Sequence, residues 1–195
     1  MQKYVSTVEA WRLPISRLVA FAIIIGVLIL KPAPQVGSWP GILMLAAGIL
    51  LAGVGALGRL WCSLYIGGRK THELVSAGPY GWCRNPLYLF SLIGALGVGL
   101  STRQPWVVAL LTGFFALYYP WVIRSEERKL QVVHGQSFLA YCRRVPRFFP
   151  RTLVVQEPAS YCVNPGLVRK HMTEAIWFIW AISLVLMIEA LKVAV

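Results

Sequence analysis

The chain has 195 residues, enough for one domain, and 57% of them are hydrophobic against 13% charged. A water-soluble domain of this length has no core large enough for so much apolar side chain, so lipid is the expected solvent. The formal charge of +12 raises nucleic acid as a partner, but the basic residues are spread between apolar runs, a placement that favours a membrane and argues against nucleic acid.

Crossing a hydrocarbon layer of about 30 Å takes about 20 mostly apolar residues. Runs at 15–30, 39–66, 86–100, 105–123 and 174–191 approach or meet that length, the first and third being short. The predicted fold is all-α, a polytopic integral membrane protein with about five transmembrane helices and one membrane domain over 1–195. The late apolar run, with no small-residue cleavage pattern after it, predicts no cleavable signal peptide.

The first two runs are joined by KPAPQVGS, whose prolines and glycine break a helix, so 15–66 reads as an N-terminal helical hairpin. A polar stretch follows, and STRQ at 101–104 closes a second hairpin between 86–100 and 105–123. Beyond it, 124–173 is polar again. Leu130, Val133, Ser137, Phe138 and Tyr141 recur there near helical spacing, which predicts an amphipathic helix or pair interrupted around Gly135. VPRFFP at 145–150 ends it. Residues 156–166 read as irregular, so 151–195 is a linker and a final span, and 67–150 is left as the core that carries chemistry.

With a cytosolic N-terminus, fifteen of the 19 basic residues fall in inside segments, and Lys31, Arg103 and Lys192 fall outside. That asymmetry follows the positive-inside pattern and places both polar regions in the cytosol. Cys62, Cys83, Cys142 and Cys162 have no close paired spacing, and reduced thiols are expected. His72, His134 and His171 lack ligand-like companions, so no metal site is predicted.

GVGALG at 53–58 fits the spacing of a dinucleotide-binding turn. It lies inside a lipid-length run with no preceding strand, and small residues that let helices approach are the better account. Glu126 and Glu127 stand where the fourth run leaves the bilayer. They either offset neighbouring arginines or hold a cationic ligand in a partly desolvated pocket. Arg84 and Arg144 suit lipid phosphates or an anion. Arg84 also precedes Asn85-Pro86 at a helix start, whose free N–H groups bind anions. Tyr80 and Tyr88 flank the polar loop, and aromatic faces near carboxylates favour a sulfonium or quaternary ammonium ion. Glu189 and Lys192 read as a structural or interface pair on the last helix.

HELVSAGPYGWCRNPLY at 72–88, then the Glu126-Glu127 pair, then HGQSFLAYCRRVPRFFP at 134–150 resemble the isoprenylcysteine carboxyl methyltransferase family and its phospholipid methyltransferase relatives. The resemblance covers roughly 60–150 and implies a membrane methyltransferase core in 67–150, with S-adenosyl-L-methionine in a cytosolic pocket. It assigns cofactor contact to His72, Glu73, Leu74, Val75 and Tyr80, to Arg84, Asn85, Pro86, Leu87 and Tyr88, and to Glu126. Arg144 matches the arginine of the Arg-Val-Pro block and, with Arg124, is the expected acceptor-orienting group. Two positions depart from the family's usual Arg-His-Pro-x-Tyr-x-Gly: Asn85 replaces histidine and Phe90 replaces glycine. Asn85 still donates and accepts hydrogen bonds, whereas Phe90 fills space that glycine leaves open.

Methyl transfer from a sulfonium is an in-line displacement that depends on alignment and exclusion of water. A carboxylate acceptor needs no base and is oriented by arginine; an amine acceptor must first lose a proton, a task for Glu126 or Glu127. The expected partners are membrane lipids and a lipophilic acceptor, foremost a prenylcysteine-type carboxylate. A phospholipid amine is the alternative acceptor. A nicotinamide-dependent membrane sterol or enone reductase and a non-catalytic lipid-binding protein are the rival functions. The expected location is a bacterial inner membrane or the endoplasmic reticulum.

Overall fold

The computed structural model describes residues 7–30, 37–67, 73–152, 154, 157–160 and 163–194. Among them are the helices α1 (Thr7–Ile29), α2 (Trp39–Ile66), the one-turn α3 (Pro79–Trp82), α4 (Pro86–Ser101), α5 (Pro105–Arg144) and α6 (Pro165–Ala194), with no strand. Helices α2, α5 and α6 are long and apolar enough to cross a bilayer, and Pro14–Ile29 and Pro86–Ser101 are shorter apolar helices. The protein is an all-α integral membrane protein.

Helix ends follow local chemistry. At α2, Ser38 Oγ accepts from the Gly41 N–H at 3.3 Å, and Pro40 sits in the first turn. At α6, Asn164 Oδ1 accepts from Gly166 and Leu167 at 3.0 and 3.3 Å, which starts the helix well before the apolar run at 174. The fourth span and the amphipathic segment are continuous in α5, because nothing between Ile123 and His134 interrupts the backbone. The break comes at Gly135 (φ 51, ψ −122), a left-handed conformation that glycine adopts without strain. There the helix folds back, and Pro146 prevents its continuation past Arg144.

The most extensive helix contact joins α2 to α4. A Cβ on Gly55 would lie 2.4 Å from the Gly94 Cα, and one on Gly97 would lie 2.4 Å from the Ala52 nitrogen, so backbone meets backbone. GVGALG therefore serves packing, with Gly53 facing open space and Gly55 and Gly58 facing α4. Gly58 makes room for Phe90: a Cβ there would fall 2.1 Å from the ring. The buried Phe90 joins Cys62, Tyr65 and Tyr80 in a core at the end that carries the polar loop.

The opposite end is closed by STRQ itself, whose four residues are at most 4% exposed. Arg103 (φ 53) forms an ion pair with Glu189 of α6. Gln104 Nε2 donates to the Leu30 carbonyl at 3.2 Å, and Lys192 Nζ donates to Val27 and Leu30 carbonyls at the end of α1. Glu189 and Lys192 thus do not form the expected pair within α6. Each reaches a different element, because buried carbonyls and a buried guanidinium need partners more than two neighbouring exposed charges do.

Gly58→Val is expected to overpack the α2–α4 seam and cost about 1–3 kcal/mol. Thermal unfolding in detergent checks this, with partial recovery when Phe90→Leu is added; an unchanged melting temperature would mean that Phe90 repacks freely.

Candidate active site

Residues 73–85 wrap around α3 and are pinned to the returning piece of α5 and the chain beyond it. The Arg84 N–H donates to the Pro146 carbonyl at 2.9 Å, Tyr141 Oη donates to the Tyr80 carbonyl at 2.7 Å, and Trp82 Nε1 donates to the Val154 carbonyl at 3.2 Å. The fold-back at Gly135 makes these contacts possible, since it brings Tyr141 and Cys142 beside residues a full turn of the hairpin earlier.

Glu127 is the hub of this end. Its Oε1 accepts from Arg84 Nε at 3.0 Å and from Asn85 Nδ2 at 3.4 Å, and its Oε2 accepts from Arg147 Nε at 2.9 Å. Arg84 also donates from Nη1 to the Cys142 carbonyl at 3.0 Å, and Asn85 Nδ2 donates to the Arg147 carbonyl at 3.0 Å. Glu127 is buried and Arg84 largely so, with side chains 10% and 11% exposed, while Arg147 is 50% exposed. Asn85, standing where the resembled family has histidine, works here as a donor to both a carboxylate and a backbone carbonyl.

Beside the hub is a cavity of about 290 Å³, near the lower end for small-molecule sites. Glu73, Leu74 and Val75 line one side. Tyr80, Arg84 and Asn85 form the next, and α4 contributes Leu87 and Tyr88. Glu126, Lys129, Leu130 and Tyr141 come from α5. Glu126 and Glu127 diverge because neighbours on a helix point about 100° apart: one lines the cavity and the other holds its wall.

Most residues expected at a cofactor site are thus brought together. His72 lies outside the described residues. Pro86 is fully buried at the start of α4 and does not line the cavity. Phe90 points into the α2 seam, so its bulk leaves the cavity free. Arg144 is exposed and lines neither this cavity nor the basin beyond the hub, whereas Arg124 and Glu127 line that basin. Arg147, which binds Glu127, and Tyr141, which lines the cavity, lie outside the residues expected for a methyltransferase site. The signal for both was present, since Arg147 lies in the VPRFFP block and Tyr141 on the amphipathic stripe.

Two carboxylates and two cationic side chains, Arg84 and Lys129, with three tyrosines and a set of aliphatic side chains, are a lining suited to a zwitterionic ligand with a flat ring. Among the described residues no group of three His, Cys, Asp or Glu is placed to hold a metal.

The family model for phospholipid methyltransferases matches residues 36–137, across α2, the cavity loop, α4 and most of α5. The chain belongs to the phospholipid methyltransferase family. It is 41% identical over 143 residues to the cobalt-zinc-cadmium resistance protein CzcN of Cupriavidus metallidurans, covering 73% of this chain and 66% of that protein. It is 38% identical over 157 residues to the nickel-cobalt-cadmium resistance protein NccN of Alcaligenes xylosoxydans xylosoxydans, covering 80% and 72%. The protein-S-isoprenylcysteine O-methyltransferase of Mus musculus is 33% identical over 85 residues, covering 41% of this chain and 28% of that protein. The chain therefore spans just under two thirds of the first relative and little more than a quarter of the mouse enzyme. No solved structure matches.

Glu127→Ala leaves the Arg84 guanidinium buried without its anion. The expected loss is about 3 kcal/mol, the low end for a buried pair broken from one side, because Arg147 is half exposed; thermal unfolding measures it. Burial also pushes the Cys83 thiol from 9.0 up to about 11. The unfolded chain therefore releases this proton first, so stability is full below pH 9 and falls as pH rises toward 11. Melting curves at pH 7.5 and 10.5 are expected to show that fall, with a smaller fall in Cys83→Ala.

Proposed function

We propose that the protein is an S-adenosylmethionine-dependent methyltransferase acting on a lipophilic acceptor at the membrane interface. In this reading the N-terminus and the site face the cytosol, in a bacterial inner membrane or the endoplasmic reticulum. The observation that carries it is the joint lining of one cavity by Glu73, Glu126, Tyr80, Tyr88 and Tyr141. S-adenosylmethionine supplies an electrophilic methyl group on a sulfonium. Glu126 and the tyrosine faces would hold the cationic part, and Leu74, Val75 and Leu87 would cover the flat ring. Asn85 and Arg84, fixed by Glu127, keep the wall of the cavity in place.

An acceptor from lipid would come from a neighbouring apolar cavity. An apolar cavity of about 380 Å³ lies between α1, α4, α5 and α6, and Tyr119 lines it. The Tyr119 ring packs edge-on against Tyr88 at 5.4 Å, so the two cavities share an aromatic partition. Both oxygens of Glu127 already accept hydrogen bonds, which makes it a positioning residue. That supports a prenylcysteine-type carboxylate as the acceptor, because it needs no base. Arg147, reaching the hub from a half-exposed position, holds Glu127 from the side of the basin beyond it. The second reading, a phospholipid amine, is favoured by the family's own description; it leaves Glu126 as the carboxylate to take the proton.

Calorimetric titration of the detergent-purified protein is expected to show binding of S-adenosylmethionine and its demethylated product, and none of reduced nicotinamide dinucleotide. Glu126→Gln is expected to weaken binding about tenfold, or about 1.4 kcal/mol. Binding of the dinucleotide alone would identify a membrane reductase, and binding of neither would identify a non-catalytic lipid-binding protein.

A further inference from the structure

Beyond the Glu127 hub lies a second basin of about 390 Å³, and its lining is of another kind. Four guanidiniums reach it, from Arg84, Arg124, Arg128 and Arg147, against the single carboxylate of Glu127. That carboxylate is spent, since its two oxygens bind Arg84, Asn85 and Arg147. Arg124 lies over the Trp121 ring at 6.0 Å, and among the described residues no carboxylate pairs with Arg124 or Arg128. These two arginines are four residues apart on one helical face, where like charges repel. An arrangement of this kind is relieved by an anion from outside the chain.

The basin has two sides, and the sequence of α5 sets it just beyond the apolar span. Arg124, Glu127, Arg128 and Gln131 form one stripe of α5, and Phe138, Leu139 and Cys142 of the returning piece close the other side. The fold-back at Gly135 therefore converts a basic helix face into a recess. Trp121, 63% exposed, marks the edge of the apolar span, and Arg124 follows immediately after Ile123. From Arg124 to Arg128 the helix rises about 6 Å, which fits within the roughly 5–8 Å of headgroup layer on each side of the hydrocarbon.

We propose that this basin binds the phosphate of a membrane lipid headgroup, beside and separate from the cavity that faces Glu126. Guanidinium forks match phosphate oxygens in geometry and charge, and a basic recess at headgroup depth draws anionic lipid from the leaflet. Arg84 lines both recesses, so the bound headgroup is one side chain away from the other ligand. The site stands on charge and position alone and does not depend on methyl transfer.

Native mass spectrometry of the detergent-purified full chain tests this with phosphatidylglycerol and with diacylglycerol of the same acyl chains. One phosphatidylglycerol is expected to stay bound while diacylglycerol, which lacks the phosphate, does not. Arg128→Gln is expected to weaken retention about tenfold, the loss of one charge-assisted pair, and Arg128→Lys is expected to recover part of it. Both variants should keep the parent melting temperature, since Arg128 is exposed. Equal retention of the two lipids, or unchanged retention in a folded Arg128→Gln, would overturn the proposal. Displacement by inorganic phosphate at the same concentration as the lipid would also overturn it, by making this a site for a free anion.

Discussion

The polar end of the molecule depends on where one buried carboxylate sends its two oxygens. Glu127 joins α5, the loop before α4 and the segment after the fold-back, three pieces of chain far apart in sequence. Without that carboxylate two arginines would face each other across a gap at the edge of lipid. With it they become the wall between two recesses of different character. One mixes two carboxylates and two cations with tyrosines and aliphatic side chains, and the other is dominated by guanidiniums. Methyl transfer, as read here, uses the first, and the anion site uses the second, so both functional proposals rest on the same clamp.

The rest of the bundle gives that clamp a rigid base. Backbone-to-backbone contact between α2 and α4 needs glycine on both helices, and this packing also houses Phe90 away from the cavity. At the far end, the buried STRQ turn ties α1 and α6 to the α4–α5 hairpin through Arg103, Gln104, Glu189 and Lys192. Dispersion contacts dominate at mid-depth, where lipid tails compete equally with side chains for apolar surface. Directed polar bonds are placed at the two ends, where water or headgroups would otherwise take them.

The spans were legible in the sequence where composition changes abruptly. For α2, Ser38 and Pro40 mark one end and Gly67 the other, and the predicted limits are the observed ones. For α5 and α6 the apolar run and the helix differ, because helices continue past the lipid boundary into charged sequence that hydropathy reads as loop. The cavity was legible through its motif, and the divergence of Glu126 from Glu127 follows from helical geometry. Which of the two lines the cavity came from the resemblance, which assigned Glu126, and not from helical geometry, because that depends on how α5 is turned against the loop before α4. The same limit separates Arg144 from Arg147: the former ends a helix and faces outward, and the irregular backbone after Pro146 carries the latter to Glu127. Phe90 shows a related limit, since a large residue in place of a small one reads as obstruction until its partner Gly58 on another helix is known.

The continuity of α5 has a mechanical consequence. The residues that anchor this helix in hydrocarbon and the Glu126, Glu127 and Arg128 that it presents to the two recesses belong to one rod, with no loop between them to absorb movement. A bilayer thicker or thinner than the helix prefers is accommodated by tilt, and tilt of this rod swings Glu126, Glu127 and Arg128 relative to the loop that carries Arg84 and Asn85. Pro120, which removes one hydrogen bond from the helix just before that point, softens the linkage without uncoupling it. Membrane thickness is thereby placed in mechanical series with the site, so the lipid around the protein acts as a setting on its geometry as well as its solvent.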